Sequence, residues 1–231
     1  MDKVYAIITG DVVNSRGIDP EARKKLYADF DVFLKASKKE WLKSFEVYRG
    51  DSFQCEVRKP TNSLRVALMI RAFFKAYLTA AEKKQRGKRG ASLKGYLNAR
   101  FDIRLSVGIG QVDFINKNKV STSDGEAFQL SGEGLDLLKG LGQKLGLKTF
   151  DSAFNEQITP IVLLLDALIE KWTQNQAEII LYKLEDWKDE EIAEKLSISP
   201  SAVTQRKKTA QWNAIEKTVT YFEKTMQNLI K

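Results

Sequence analysis

Val4-Tyr5-Ala6-Ile7-Ile8 is an unbroken, β-rich apolar run, the pattern of a strand covered on both faces. A chain that opens on such a strand must supply packing on each side of it. The run stops at Thr9-Gly10-Asp11. Asp19-Pro20-Glu21 then opens a helix, with Asp19 as cap and Pro20 in the first turn. Leu26, Phe30, Phe33 and Leu34 carry that helix at its proper spacing to about Lys43. Phe45–Arg49 and Ser52–Val57 flank Gly50-Asp51, the strongest hairpin signal in the chain. A second amphipathic helix follows Pro60 on Leu64, Ala67, Leu68, Ile70 and Phe74. Phe101–Gly110 alternates as a strand, and Val120-Ser121 is a short strand at best. A helix after Asp124-Gly125-Glu126 runs through Leu138, and Lys148-Thr149-Phe150 closes the β-containing part. Beyond Thr159-Pro160 only helical periodicity remains. The expected organisation is an α/β unit over 1–155, followed by an all-α unit over 156–231.

Charge and composition narrow the chemistry. The 231 residues include 38 Lys+Arg, 30 Asp+Glu, one cysteine and no histidine. Without histidine, Ser/His, Cys/His and zinc/His mechanisms are excluded, and a metal site must be built from carboxylates and water, favouring Mg²⁺ or Mn²⁺. A lone Cys55 forms no internal disulfide, as suits a reducing compartment. The N-terminus lacks a signal-peptide pattern, and the longest apolar stretch, Ile161–Leu165, is too short to span a bilayer. A cytoplasmic location with no membrane partner is therefore expected. The +8 net charge suits a polyanionic partner. It is unevenly distributed: 28 basic and 18 acidic residues lie in 1–155, against ten and twelve in 156–231. Seven of the basic residues fall in the acid-free stretch 83–100, read as an exposed loop.

Asp11 at the end of the first strand and Asp51 in the hairpin are brought to one sheet edge by a β-α-β-β unit. Converging carboxylates repel unless a proton or cation relieves them, which makes a Mg²⁺ site the physical reading. Gly10 permits close backbone approach, and Asn14-Ser15-Arg16 offers polar donors to a phosphate beside Gly50. Each aspartate also has a bland use: Gly-Asp is ordinary turn chemistry, and an aspartate after a strand caps the next segment. Asp102 and Asp124 are read as surface or cap residues, and Glu126 as a first-turn helix acid.

With Arg104–Gly110 and Ser123-Asp124-Gly125-Glu126-Ala127-Phe128 added, these motifs resemble the palm-type, ferredoxin-like catalytic domain of class III nucleotidyl cyclases, and more closely SatD-type bacterial proteins. The resemblance covers roughly 1–150 through short motifs. It implies that Asp11 and Asp51 bind divalent metal, that the Val12 and Val13 backbone lies near nucleotide phosphates, and that two palms form a homodimer. The chain departs from the cyclase pattern where an Asn and an Arg stabilise the transition state: it carries Gln129 and Glu133 there. Catalytic residues are thus unassigned, and the implied role is a nucleotide sensor.

In the helical part, Ile192, Ala193, Leu196, Ile198 and Val203 have the spacing of a helix-turn-helix, with Ser199-Pro200 starting the second helix. The stretch 170–215 resembles region four of bacterial sigma factors and LuxR-type domains. That resemblance places Ser201, Ala202, Thr204 and Gln205 against bases and Arg206, Lys207 and Lys208 against DNA phosphates. The same geometry also serves purely structural or protein-docking roles. The expected function is a DNA-binding transcriptional regulator with a nucleotide- and Mg²⁺-binding sensor unit. The competing class is a metal-dependent nucleotide-processing enzyme with a helical docking tail.

Overall fold

The computed structural model describes residues 3–48, 50–78, 101–116 and 120–231. The basic stretch 83–100 and Arg49 lie outside the described residues. Five strands, β1 (Tyr5–Val12), β2 (Leu42–Tyr48), β3 (Ser52–Val57), β4 (Ile103–Gly110) and β5 (Leu145–Thr149), make one mixed sheet in the order β2-β3-β1-β4-β5. β1 lies at its centre, antiparallel to β3 and β4, while β5 joins β4 in parallel. Eight α-helices accompany the sheet among the described residues: α1 (Pro20–Ser37), α2 (Ser63–Ala76), α3 (Glu126–Leu141), α4 (Ser152–Glu170), α5 (Gln174–Leu184), α6 (Asp189–Leu196), α7 (Pro200–Thr209) and α8 (Trp212–Leu229).

The first strand is covered on both sides, as its composition requires. Ala6, Ile8 and Val12 point into the main core with Leu26 and Phe30 of α1 and Leu68 and Phe74 of α2. Ile7 points the other way, against Val120, Ala127 and Phe128. The two faces differ in chemistry. The α3 side adds a buried polar patch to its apolar cluster, with the Thr9 and Ser131 hydroxyls 2.9 Å apart and Gln54 Nε2 donating to Thr9 Oγ1 at 3.0 Å.

Several sequence expectations are corrected at element ends. β1 continues past Thr9 to Val12, because Asp11 is itself a ladder residue opposite Ser52 and Arg104. α1, properly capped by the Asp19 side chain on the Ala22 amide at 3.0 Å, ends at Ser37 rather than Lys43. The fully buried Leu42 belongs to the sheet, opposite Val57. Val120–Thr122 is a 3₁₀ turn and not a strand.

α4 begins at Ser152, capped by Asp151, and runs straight through Pro160. Pro160 lies on the exposed side, where water can satisfy the carbonyl that a proline leaves unpaired. The boundary expected at 155/156 therefore falls inside a helix. Phe154, Ile158, Val162, Leu165 and Ile169 of α4 are buried in a cluster that extends from Ala6 to Met226. α4 is the one described helix long and apolar enough to cross a membrane; one side of it packs on this core, while Leu163 and Leu164 are exposed.

Candidate functional site

At the hairpin end of the sheet, the structure gives each expected ligand a protein partner. Asp11 and Arg104 are paired across β1 and β4, so their side chains share the α3 face. Arg104 Nη1 donates to Asp11 Oδ1 at 2.8 Å, and Lys139 Nζ of α3 stands 3.6 Å from Asp11 Oδ2. Asp136, with Asp11 behind it, holds the Lys139 ammonium above its ordinary pKa. Asp51 Oδ2 accepts the Ser15 hydroxyl at 2.7 Å, and Arg23 Nη1 donates to the Ser15 carbonyl at 3.3 Å. Beside them, burial and the Asp51 charge push the Tyr27 phenol upward.

As placed, these carboxylates are engaged by the chain itself rather than open to a divalent cation. Both Asp11 oxygens face cations of the chain itself, and one Asp51 oxygen is taken by Ser15. Among the described residues, no group of three or more carboxylate or thiol side chains could hold a metal. A bound Mg²⁺ would have to displace Arg104 and Lys139 from Asp11 and take its remaining ligands from water. Addition of Mg²⁺ to the full chain is accordingly expected to leave the thermal melting midpoint unchanged, whereas Asp11→Asn is expected to lower it by a few degrees. A Mg²⁺-dependent rise that Asp11→Asn removes would refute this reading.

Of the groups expected near a phosphate, the Val12 and Val13 amides and the Ser15 hydroxyl are engaged within the chain. The Val12 amide donates to the Asp51 carbonyl at 2.9 Å, and the Val13 amide to the Asp102 carbonyl at 3.0 Å. Gly10 answers to packing: a Cβ there would lie 2.4 Å from the Phe53 ring and 2.9 Å from the Arg104 carbonyl. Asn14 adopts a left-handed conformation at φ 53° and starts the turn Ser15–Gly17, while Gly50 takes φ 76° in the hairpin. Asn14 and Arg16 are exposed. Gln129 and Glu133 lie on the exposed side of α3. Asp124 and Glu126 do serve locally, on the Gly125 and Gln111 amides.

The helical half presents a second candidate surface. Ile179 of α5, Ile192 and Ala193 of α6 and Val203 of α7 form their own buried cluster, closed by Tyr182, Trp187, Leu196 and Ile198. α6 ends in a left-handed Ser197, with the Ile198 amide returning to the Ala193 carbonyl at 3.0 Å. Two residues later Ser199 caps α7 on the Ala202 amide at 3.2 Å, and Pro200 fills the first turn. With Val203 fixed inward, Ser201, Thr204, Gln205 and Lys208 are exposed on α7, while Ala202, Arg206 and Lys207 are half-buried. Lys207 is tied to Asp189 at the start of α6, which also accepts Lys183 Nζ at 3.2 Å. The Lys207 and Lys183 charges hold the Asp189 carboxyl below its usual range against the effect of burial.

A family model matches residues 94–221, from the segment before β4 into α8, and its family is SatD. The chain belongs to the SatD family. No curated protein matches the chain. The SatD match spans β4, α3, β5 and the helices through α7, and so includes Arg104, Lys139 and the whole α5–α7 unit. It leaves Asp11 and Asp51 outside.

Partly within that span lies a charge network which sequence reading missed: its carboxylates Asp102, Asp166 and Glu170 fall inside the match, while Arg71 and Lys75 precede it. Arg71 of α2 is fully buried, donating Nε to Asp102 Oδ1 at 3.1 Å and Nη1 to Asp166 of α4. Lys75 Nζ lies 3.3 Å from Asp102 Oδ2 and donates to the Glu170 carbonyl at 3.0 Å. Lys144 adds its backbone amide to Asp166 at 2.8 Å and its ammonium to Glu170 at 2.6 Å. Asp102 is thus buried between α2 and α4, not a surface cap. Its signal was available: Arg71 interrupts the apolar run Val66–Phe74 on a helix otherwise buried nearly all round, and charged residues are buried only when paired.

Proposed function

We propose that this SatD-family protein binds duplex DNA through α6 and α7 and acts as a DNA-binding regulator, with α7 entering the major groove. One observation carries the reading: Val203 anchors α7 on the Ile179–Ile192–Ala193 cluster, which turns Ser201, Thr204, Gln205 and Lys208 outward together. Small polar side chains near the start of a recognition helix are suited to base edges, and the basic end of α7 to phosphates. The resemblance of 170–215 to sigma region four and LuxR-type domains supports the same docking.

For the sheet half, the β-α-β-β-α-β connection and the order β2-β3-β1-β4 support the ferredoxin-like, cyclase-like reading of its core. In this proposal that core has given up metal chemistry, since Asp11 is neutralised internally by Arg104 and Lys139.

The test uses the full chain and labelled duplexes selected from a random pool, followed by fluorescence anisotropy over a range of salt. Binding is expected to weaken steeply with salt. Lys208→Ala should lower the salt slope by about one, and Gln205→Ala should relax sequence preference at a cost of about 1–3 kcal/mol. The variants are essential because the sheet half carries the excess positive charge. Salt-dependent binding indifferent to both substitutions, or no binding, would return α6–α7 to a protein-docking role.

A further inference from the structure

At the opposite end of the sheet from Asp11 and Asp51 lies a cavity of about 540 Å³. It is framed by the start of β1, the start of β2, the end of β3 and the segment after β4. Tyr5 and Asp11 are six residues apart on β1, about 20 Å along an extended strand. The cavity is therefore a separate place on the molecule. Its volume falls in the range of small-molecule pockets, about 300–1,000 Å³.

One side of the cavity is cationic and held in position. The Lys3 and Lys43 ammonium groups lie 5.2 and 5.4 Å from the centre of the Tyr5 ring. Glu56 is buried in the wall, its Oε1 accepting Lys43 Nζ at 2.9 Å and its Oε2 accepting Ser44 Oγ at 3.3 Å. Both carboxylate oxygens are engaged, so Glu56 steadies Lys43 at the cavity. Arg58 is braced likewise, with Nη2 donating to the Lys38 and Leu42 carbonyls at 2.8 and 3.1 Å.

The other side is mainly apolar, with the exposed Asp113 as its one charged residue. Phe114 is 53% exposed, with Val112 and Ile115 half-buried beside it. The Phe114 backbone is pinned by its bridge to Asp124, so the ring is presented by a fixed segment. An aromatic ring and three cations lining one concave site match a ligand with a flat apolar body and an anionic end.

We propose that this cavity binds an organic phosphate or carboxylate of mononucleotide size, its planar group against Tyr5 and Phe114 and its anion on Lys3, Lys43 and Arg58. The ring wall distinguishes this class from inorganic anions, and the three cations outnumber the two carboxylates, Glu56 and Asp113, that share the lining. The assignment stands independently of DNA binding by α7.

Calorimetric titration of the full chain in EDTA tests it, with AMP, GMP and phenyl phosphate as probes and inorganic phosphate as the control. One-to-one binding is expected for at least one aromatic probe, at least tenfold tighter than for inorganic phosphate. Phe114→Ser, at an exposed position that leaves the core intact, is expected to abolish that preference. Arg58→Gln should weaken binding by about tenfold or more, the scale of a lost charge-assisted hydrogen bond. Arg16→Ala and Asp51→Asn, at the far end of the sheet, should change nothing. The proposal is overturned by no saturable binding up to millimolar probe, by equal affinity for inorganic phosphate, or by sensitivity to Arg16 and Asp51 without sensitivity to Phe114.

Discussion

Arg71→Met is expected to remove about 3–5 kcal/mol of folding stability, the cost of leaving buried carboxylates without their partner. The methionine has nearly the right length and none of the charge. Asp102 and Asp166 would then lose the guanidinium they share, with only Lys75 and Lys144 left beside them. Urea denaturation of the full chain measures the loss directly, and a change below about 1 kcal/mol would mean that the network is not a unit.

Acid should act on the same network. Burial raises the Asp102 pKa, but Arg71, Lys75 and Lys144 outweigh it and hold it below the ordinary carboxylate value. A depressed folded pKa means that Asp102 stabilises the fold above its unfolded pKa, and that this contribution is lost as pH falls through the folded one. Lys75 adds a pH dependence of the same sign in the alkaline range. Burial holds it below the usual lysine range, so stability rises as pH climbs from its folded towards its unfolded pKa. Between pH 7 and acid, wild type is therefore expected to lose more stability than Arg71→Met.

Gly108→Ala is the second substitution with a large expected effect. A Cβ on Gly108 would sit 2.2 Å from the Ala127 carbonyl and 2.5 Å from the Ser131 amide, both backbone atoms of α3. Neither can swing aside as a side-chain tip could, so α3 must lift from β4. The expected cost is about 1–3 kcal/mol, as for other overpacked cores. The lift would also separate Thr9 from Ser131 and Lys139 from Asp11, so amide exchange should rise along 127–135 while α7 stays protected. Uniform loosening of both regions would contradict this division.

Some of this architecture can be read without coordinates because it depends on local chemistry. The alternating and continuous apolar patterns of Val4–Ile8, Phe45–Val57 and Phe101–Gly110 specify strands, since side-chain period and turn residues act within a few positions. Asp19-Pro20 and Ser199-Pro200 start helices for the same reason, and both caps hold. The α6–α7 pair is legible too, because five apolar residues over twelve positions define how two short helices cross.

The fate of Asp11 is different in kind. In the chain it is an aspartate in a strand followed, 40 residues later, by another in a hairpin, and that spacing reads equally as a metal pair or as turn chemistry. Its partners, Arg104 and Lys139, are 93 and 128 positions away, and no periodicity links them to it. The same holds for Arg71 with Asp102 and Asp166. Charge pairing depends on distances of a few ångströms, and those are set only once β4 lies against β1 and α4 against α2.

The sequence by itself thus determined the element types, their caps and the helix pair, because each follows from propensity and pattern within one segment. The tertiary structure alone decided which charges meet. It turned an expected metal ligand into half of an ion pair, buried a presumed surface aspartate beneath α2, and carried the core across the expected boundary at 155/156. At the far end of the same sheet it brought Lys3, Lys43, Arg58 and Phe114 around one cavity, from four segments that share no motif.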